Sequence, residues 1–525
     1  MELLEMVPLL IWRSAPMNFM APCLRMNYPR FYSLLFATLL GVMLSTQTAA
    51  FQQMATGHPL EPLDEAILNV FDLQEEEINL GTTVLAISRQ ASKDLFGEDF
   101  DTQTFRSTLD KIAMEVLSRA PKGGGPEEII RAINSYLFGE LGFSSEPNDS
   151  GSGVFNKPGN VLLNLVLQNK KGNCIGLSMC YLALCERMDF PVHGVSVPGH
   201  FLVRYDRQGQ RRNIETTLQG TEKRDEVFVQ SDEFPQGHPI HLRSLSKKET
   251  LAVYLRNVAL LYSERKMYER AVVLLEKAVT VIPQDEGIHE SLGNAYIEMG
   301  DADRADAELR KAISLNPNYL LAYVNLGAVC EKRGKEKEAI ALYEKVLSAR
   351  MPDGSQSYIS VRARAWAHVY LGGIYSEQGK LQEAISEVTK ALQLDPEMPE
   401  AHYTLGNVYA EQGSNNEAIS AYQRALALRS DYLEARTNLG GVYLRQGMSK
   451  GGKKETIDKA ILEFEQVLSL DPGRAKTHFN LSLAYYHRGK YAPAIEHYDR
   501  AIELGHAPMP ALALALERYR NLKRR

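Results

Sequence analysis

The 525-residue chain has few cysteines, five in all, and only two tryptophans. Five thiols cannot staple a chain of this length as a disulfide scaffold. An excess of one charge sign is also missing. Lys and Arg number 59 against 65 Asp and Glu, a net charge of −6, so the cationic surplus that phosphate neutralisation requires is absent and nucleic acid is not an expected partner. No phosphate-binding P-loop and no dinucleotide-binding glycine pattern occurs, and no cofactor is expected. What remains is an ordinary globular composition, 44% hydrophobic and 24% charged, which excludes a disordered, collagenous or multi-span membrane chain. At roughly 100–200 residues per domain, the length implies two to four units. The 25 tyrosines set against two tryptophans are a skew that suggests something repeated.

Residues 1–50 read as a leader. Arg30 supplies a positive start, Phe31 to Leu44 is uncharged and mostly apolar, and Thr48-Ala49-Ala50 offers small residues before a cut ahead of Phe51. The run is short for a spanning helix, and no stop-transfer pattern follows. Upstream lie a second apolar patch, Val7 to Trp12, then Arg13 and Arg25; Cys23 precedes the main run and so is not a lipid-bearing cysteine after it. Three readings stand: translation starts at Met26 with a cleaved signal, the whole segment is an uncleaved membrane tether, or the chain stays inside the cell. The expected location is exported, in the periplasm or cell envelope.

From about Leu251 the chain repeats. Ala259, Gly293 and Gly327 are 34 residues apart, and the series continues through Gly372, Gly406, Gly440 and Ser482. Each follows a valine or leucine, and three residues later stand Tyr262, Tyr296, Cys330, Tyr375, Tyr409, Tyr443 and Tyr485. An alanine recurs later in every unit: Ala271, Ala305, Ala339, Ala384, Ala418, Ala460 and Ala494. Pro283, Pro317, Pro396 and Pro472 close four of the units. The pattern predicts pairs of amphipathic helices in which small residues let helices cross closely and proline ends the second helix; no unit buries its apolar face alone, so the units must stack. Extra residues around Met351 to Val361 and near Lys450 to Lys454 are expected to be loops. Ala507 to Leu522 is apolar at helical spacing and reads as a capping helix.

This pattern resembles the tetratricopeptide repeat, in seven copies. The resemblance implies a protein or peptide partner on a concave face, for which Asn294, Asn325, Trp366, Tyr403, Asn407, Asn438, Phe479 and Tyr486 are candidates: amides to bond a peptide backbone, aromatics for contact area. The lysine and arginine clamp that chaperone-binding members use for C-terminal carboxylates is not visible in successive units. Any one of these residues taken alone reads more simply as plain exposed surface.

The middle segment carries the candidate chemistry. Residues 59–115 are helical text, and Glu75-Glu76-Glu77 reads as a solvated helix end. A helix is expected from Glu127 to Leu141, then a loop from Gly142 to Gly159, then a buried segment over Leu162 to Leu167. Asn173 is a good N-cap for an apolar helix from Cys174 to Met188, which places Cys174 where unpaired N–H groups and the helix dipole favour a thiolate. Strands follow over Val192 to Val197 and Phe201 to Tyr205, flanking Pro198-Gly199-His200, and a further strand carries Glu215. Cys180, Cys185 and Cys330 read as buried core. The spacing of Cys174, Cys180 and Cys185 matches no zinc pattern, and His238 with His241 in a proline-containing loop is a poor metal pair, so no metal is expected.

Cysteine at a helix start, histidine at a strand start and a carboxylate on the next strand resemble the transglutaminase-like superfamily of papain-type thiol enzymes. The match is with a bacterial, SirB-type branch often fused to tetratricopeptide repeats. Tyr136-Leu137-Phe138, Leu141-Gly142-Phe143, Gly172-Asn173-Cys174-Ile175-Gly176-Leu177-Ser178 and Pro198-Gly199-His200-Phe201-Leu202-Val203-Arg204 carry it. It implies an α+β transglutaminase-like (papain-type) domain over 51–250, followed by an all-α tetratricopeptide repeat solenoid over 251–508 and a cap over 509–525. It further implies Cys174 as nucleophile, His200 as base and Glu215 as the residue orienting the imidazole, with the Cys174 amide helping to hold an oxyanion. The usual orienting residue is aspartate, and members of the branch do not all keep the cysteine. Three functions therefore compete: a cysteine-dependent amide hydrolase or acyl transferase on substrates recruited by the array, a catalytically inactive module in an envelope scaffold, and an array-driven assembly or regulatory factor inside the cell.

Overall fold

A computed structural model describes residues 65–146, 158–229, 240–349 and 358–523. The leader, His238 and most of the Gly142–Gly159 loop lie outside the described residues. The N-terminal region opens with helices Leu80–Phe96, Thr102–Arg119 and Pro126–Asn134, the last continuing as a wider turn over Ser135–Glu140. Polar residues start the first two: Asn79 accepts the Thr82 N–H, and Asp101 those of Gln103 and Thr104. A short parallel ladder joins β1 (Ser144–Ser145) to β2 (Lys171–Gly172), and the buried segment before it is a short helix, Leu163–Asn169. The Cys174–Arg187 helix follows, then an antiparallel sheet in the order β3 (Val192–Val197), β4 (His200–Arg207), β5 (Gln210–Glu215) and β6 (Thr221–Lys223).

The Cys174 helix is the centre of this region. Every residue from Ile175 to Cys185 is buried, as expected of a helix apolar on all sides. Phe201, Val203, Tyr205 and Ile214 of the sheet share its core with residues of the helices before it. Arg204 is buried to 0% exposure yet fully engaged: it donates to Asn213 Oδ1 at 2.6 Å, to the Leu242 carbonyl at 2.8 Å and to Asp225 at 2.6 Å. Those bonds tie the loop after the sheet back onto β4 and β5.

Seven helix pairs follow: 247–264 with 268–281, 286–299 with 302–315, 320–332 with 336–348, 358–377 with 381–394, 399–412 with 415–428, 433–448 with 454–470, and 475–488 with 491–503. A last helix, Pro510–Lys523, packs against the seventh pair. The recurring alanines, from Ala271 to Ala494, are all completely buried. The recurring small residue has a steric cause: a Cβ at Gly293 would sit 2.7 Å from Leu309 Cγ, and one at Gly406 2.3 Å from the Tyr422 ring. The extra residues of the third and sixth units are not simply loops. Tyr358 to Val361 already belong to a 20-residue helix, and the sixth pair lengthens to 16 and 17 residues around a short Ser449–Lys453 connection. Among the described residues no helix is long and apolar enough to cross a membrane.

The apolar core does not break at residue 250; it runs from Ile67 to Val329. The first repeat helix, Lys247–Glu264, lies on the Leu80–Phe96 helix, where the Tyr254 hydroxyl meets Ser88 Oγ at 2.9 Å and Tyr262 donates to Asp94 at 2.8 Å. His241 bonds Glu286 of the second unit at 2.9 Å, both side chains buried. Glu75 is not merely solvated: its carboxylate accepts the Lys247 and Lys248 N–H groups at 2.9 and 3.3 Å and so caps the first repeat helix. The array is thus fixed against the N-terminal region by packing and by buried polar contacts.

Candidate active site

Cys174 occupies the first position of its helix. Asn173 caps that helix through the Gly176 N–H at 3.0 Å, and the Asn173 N–H donates to the Asn160 carbonyl at 3.0 Å. At this position the Cys174 amide has no acceptor inside the helix and is free to face a developing oxyanion. Gly176 is required by the same corner: a Cβ there would lie 2.1 Å from the Asn160 carbonyl oxygen.

His200 starts β4 immediately after a two-residue turn. Val197 pairs with His200, and Gly199 takes a φ of +70° behind Pro198, the combination that a type II turn needs. Val203 pairs with Ile214, so Glu215 lies level with Leu202, two residues from His200. His200 Nε2 meets Glu215 Oε2 at 2.6 Å. The other carboxylate oxygen accepts both the Thr217 N–H at 3.2 Å and its hydroxyl at 2.6 Å. With Nε2 engaged, Nδ1 is the nitrogen left for the thiol. The structure brings Cys174, His200 and Glu215 together: Cys174 and His200 line one cavity, and His200 bonds Glu215.

The electrostatics follow from that arrangement. Burial pushes the Cys174 thiol up, but the His200 imidazole beside it and the Phe201 N–H outweigh burial and hold it below its ordinary 9.0. Burial lowers His200, but the hydrogen bonds and charges of Cys174 and Glu215 raise it to about 10. Burial raises Glu215, and the bonds from His200 and Thr217 bring it below 4.5. Both shifts act in the same sense, towards a thiolate beside an imidazolium. The other described cysteines behave oppositely: burial pushes Cys180 up to about 12 and also raises Cys185 and Cys330. All four are free thiols.

A pH dependence of stability follows. His200 contributes stability that is complete below its ordinary 6.5 and lost as pH rises through about 10. Cys174 contributes stability that is complete above 9.0 and lost as pH falls through its depressed value. Above 9.0 the Cys174 contribution is complete and only that of His200 changes, so the stability advantage of the native protein over a Cys174→Ser/His200→Ala variant, measured by urea unfolding, is expected to decline as pH rises from 9.0 through about 10.

Cys174, His200 and Thr217 line a cavity of about 830 Å³ whose opposite wall is the repeat array: Arg256, Asn257, Glu290, Asn294, Asn325 and Trp366 face it. Of the candidate groove residues, Asn294, Asn325 and Trp366 thus belong to the same space as the thiol. The others lie elsewhere. Tyr403 packs on Tyr422 and Tyr432, and Asn407 accepts from both Tyr422 and Asn438. Tyr486 packs edge-on to Tyr491. Phe479 is not a groove residue, because it is buried at 7% exposure and stacks on His506 at 4.3 Å. Sequence reasoning missed Thr217, Arg256 and Glu290, which carry no motif of their own. His241 is occupied by Glu286, and among the described residues no group of three or more metal-binding side chains gathers.

Comparison with known proteins agrees with this architecture. Residues 103–252 match the transglutaminase-like superfamily, and residues 291–354, 372–413, 406–447 and 475–505 match tetratricopeptide repeats. A UPF0162 protein of Xylella fastidiosa (strain Temecula1) is 25% identical over 274 residues, covering 48% of this chain and 88% of the relative. A UPF0162 protein of Pseudomonas aeruginosa is 26% identical over 169 residues, covering 31% of this chain and 63% of its own. Among solved structures, MamA is similar at 30% identity and a TM-score of 0.28, over 34% of this chain and 94% of its own. The complex Cut9-Hcn1 is similar at 18% identity and a TM-score of 0.39, over 51% of this chain and 48% of its own. Residues 103–252 belong to the transglutaminase-like superfamily, and the helix pairs that follow are tetratricopeptide repeats, modules of protein interaction.

Proposed function

We propose that this protein is a cysteine-dependent amide hydrolase or acyl transferase acting on protein or peptide substrates. The observation that carries the reading is the Cys174–His200–Glu215 arrangement, with its depressed thiol and raised imidazole. The Cys174 thiolate attacks a carbonyl carbon and forms a C–S bond, while the Cys174 amide faces the oxyanion. His200 gives its proton to the leaving amine as the C–N bond breaks. Water or a second amine then attacks the thioester and loses its proton to His200. The C–S bond breaks, and thiolate and imidazolium are restored. Glu215 holds the ring and balances its charge. We assign the protein to the SirB-type branch, and we place it outside the cytoplasm on the strength of the Phe31 to Leu44 run; N-terminal sequencing of the mature chain should then begin at Phe51, and an intact Met1 or Met26 would count against cleavage.

The chemistry is tested with p-nitrophenyl acetate. Native protein is expected to release a burst of nitrophenolate stoichiometric with chain and to carry an acetyl group on Cys174 by mass spectrometry. Cys174→Ala is expected to show neither. An acetyl group found only on lysines, with no burst, would sink the enzymatic reading.

A further inference from the structure

We infer that the first four repeats form the substrate subsites of the thiol site, so that the occupant of this cavity is an extended, unfolded peptide segment of about eight residues rather than a folded surface or a small molecule. This rests on the reading of Cys174 as nucleophile and adds the substrate's form. The thiol and the array do not bind in separate places: one cavity contains both. Its far wall is built in order by the first helix of each of four successive pairs, represented by Arg256, Glu290, Asn325 and Trp366. Packed helices stand roughly 8–10 Å apart, so four in a row span roughly 24–30 Å, and a chain rising about 3.3 Å per residue covers that in about eight residues.

The wall is made of fixed groups suited to a backbone and its side chains. Arg256 is held by Ser291 Oγ at 3.1 Å and the Tyr319 hydroxyl at 3.4 Å, in space kept open by the missing Cβ of Gly287. Glu290 accepts from Asn325 at 2.8 Å. Asn257 donates to its own helix at Val253, 2.9 Å, which leaves its carbonyl oxygen as an acceptor. Asn294 adds a donor and an acceptor one helix further on. At the distal end Trp366 stacks on Tyr370 at 5.6 Å, a rigid apolar stop for one side chain. Side chains held this way lose little freedom when a peptide binds, so contacts far from the reacting bond can contribute to the transition state.

The test uses two series of random-sequence peptides, of two and of eight residues. One series carries an N-terminal chloroacetyl group and the other a C-terminal chloromethyl ketone, so both chain directions are sampled. The rate of Cys174 labelling in the full chain is read by mass spectrometry, with iodoacetamide reporting the thiol alone. At one polarity the eight-residue pool is expected to label at least tenfold faster than the two-residue pool. Asn294→Trp, which fills the wall, and Trp366→Ala, which removes its end, should each bring that ratio towards one. Because the ratio is internal to each variant, a partly destabilised variant still reports it. Equal rates for both lengths at both polarities, or a ratio unchanged in both variants, would overturn the inference. Slow iodoacetamide labelling would instead count against the nucleophile itself.

Discussion

His200→Ala is expected to slow acetylation of Cys174 by p-nitrophenyl acetate at pH 7 by about 10²–10⁴-fold, the range that a positioned acid–base residue supplies. The reason is local. Of the groups that lower the Cys174 thiol, the His200 imidazole is the largest, and burial is the force it opposes. Cys180, on the same helix without an imidazole beside it, shows burial prevailing over the charge of Arg187: a thiol pushed up to about 12. Without the imidazole, Cys174 moves in that direction and its thiolate fraction at pH 7 becomes small. With an amide substrate the second half of the chemistry also fails, since no proton is available for the leaving amine; nitrophenolate leaves as the anion and needs none. The residual rate should climb with pH as the unassisted thiol ionises. A His200→Ala rate within threefold of native at pH 7 would show that the imidazole plays no part.

Gly176→Ala should be nearly as damaging to activity although it changes one methyl group two residues from the nucleophile. The added Cβ would meet the Asn160 carbonyl oxygen at 2.1 Å, and that carbonyl is backbone and cannot swing aside. The same carbonyl accepts the Asn173 N–H at 3.0 Å, and Asn173 caps the helix that begins at Cys174. Relief of the clash therefore displaces the cap and the sulfur together. Overpacking of this kind costs about 1–3 kcal/mol, and a shift of about 1 Å at the reacting atom costs on the order of 10²-fold in rate. The expected signature is a moderate drop in thermal midpoint with an acetylation rate down by about 10²-fold. A variant with native rate and native midpoint would mean that this corner yields freely.

Much of the architecture was legible because it is written in short-range pattern. The 34-residue spacing of Gly293, Gly327 and their counterparts reflects helix crossings that admit no side chain, and the structure shows the atoms responsible. The helix from Cys174 was legible from Asn173 and the apolar run, and β3 from Val192 to Val197. What sequence could not supply was long-range. Glu75 looks like one of three solvated acids until the first repeat helix arrives to be capped by it. Arg256 and Glu290 have no motif and become cavity residues only because the core is continuous across residue 250. Phe479 sits at a position that reads as groove, but the segment before the last helix places His506 over it. The insertions read as loops because they break the period, yet helix continuation absorbs part of each.

The central claim is that Cys174 is an activated nucleophile, and the rate of its alkylation by iodoacetamide from pH 4 to pH 10 tests this most directly. Peptide mapping separates it from Cys180, Cys185 and Cys330, whose burial should keep them silent in the folded chain. The prediction is a reactivity that titrates well below about 8.5, the value of an ordinary thiol, and moves upward in His200→Ala. A thiol that reacts no faster than free cysteine, titrates near about 8.5 and ignores His200→Ala would contradict the account.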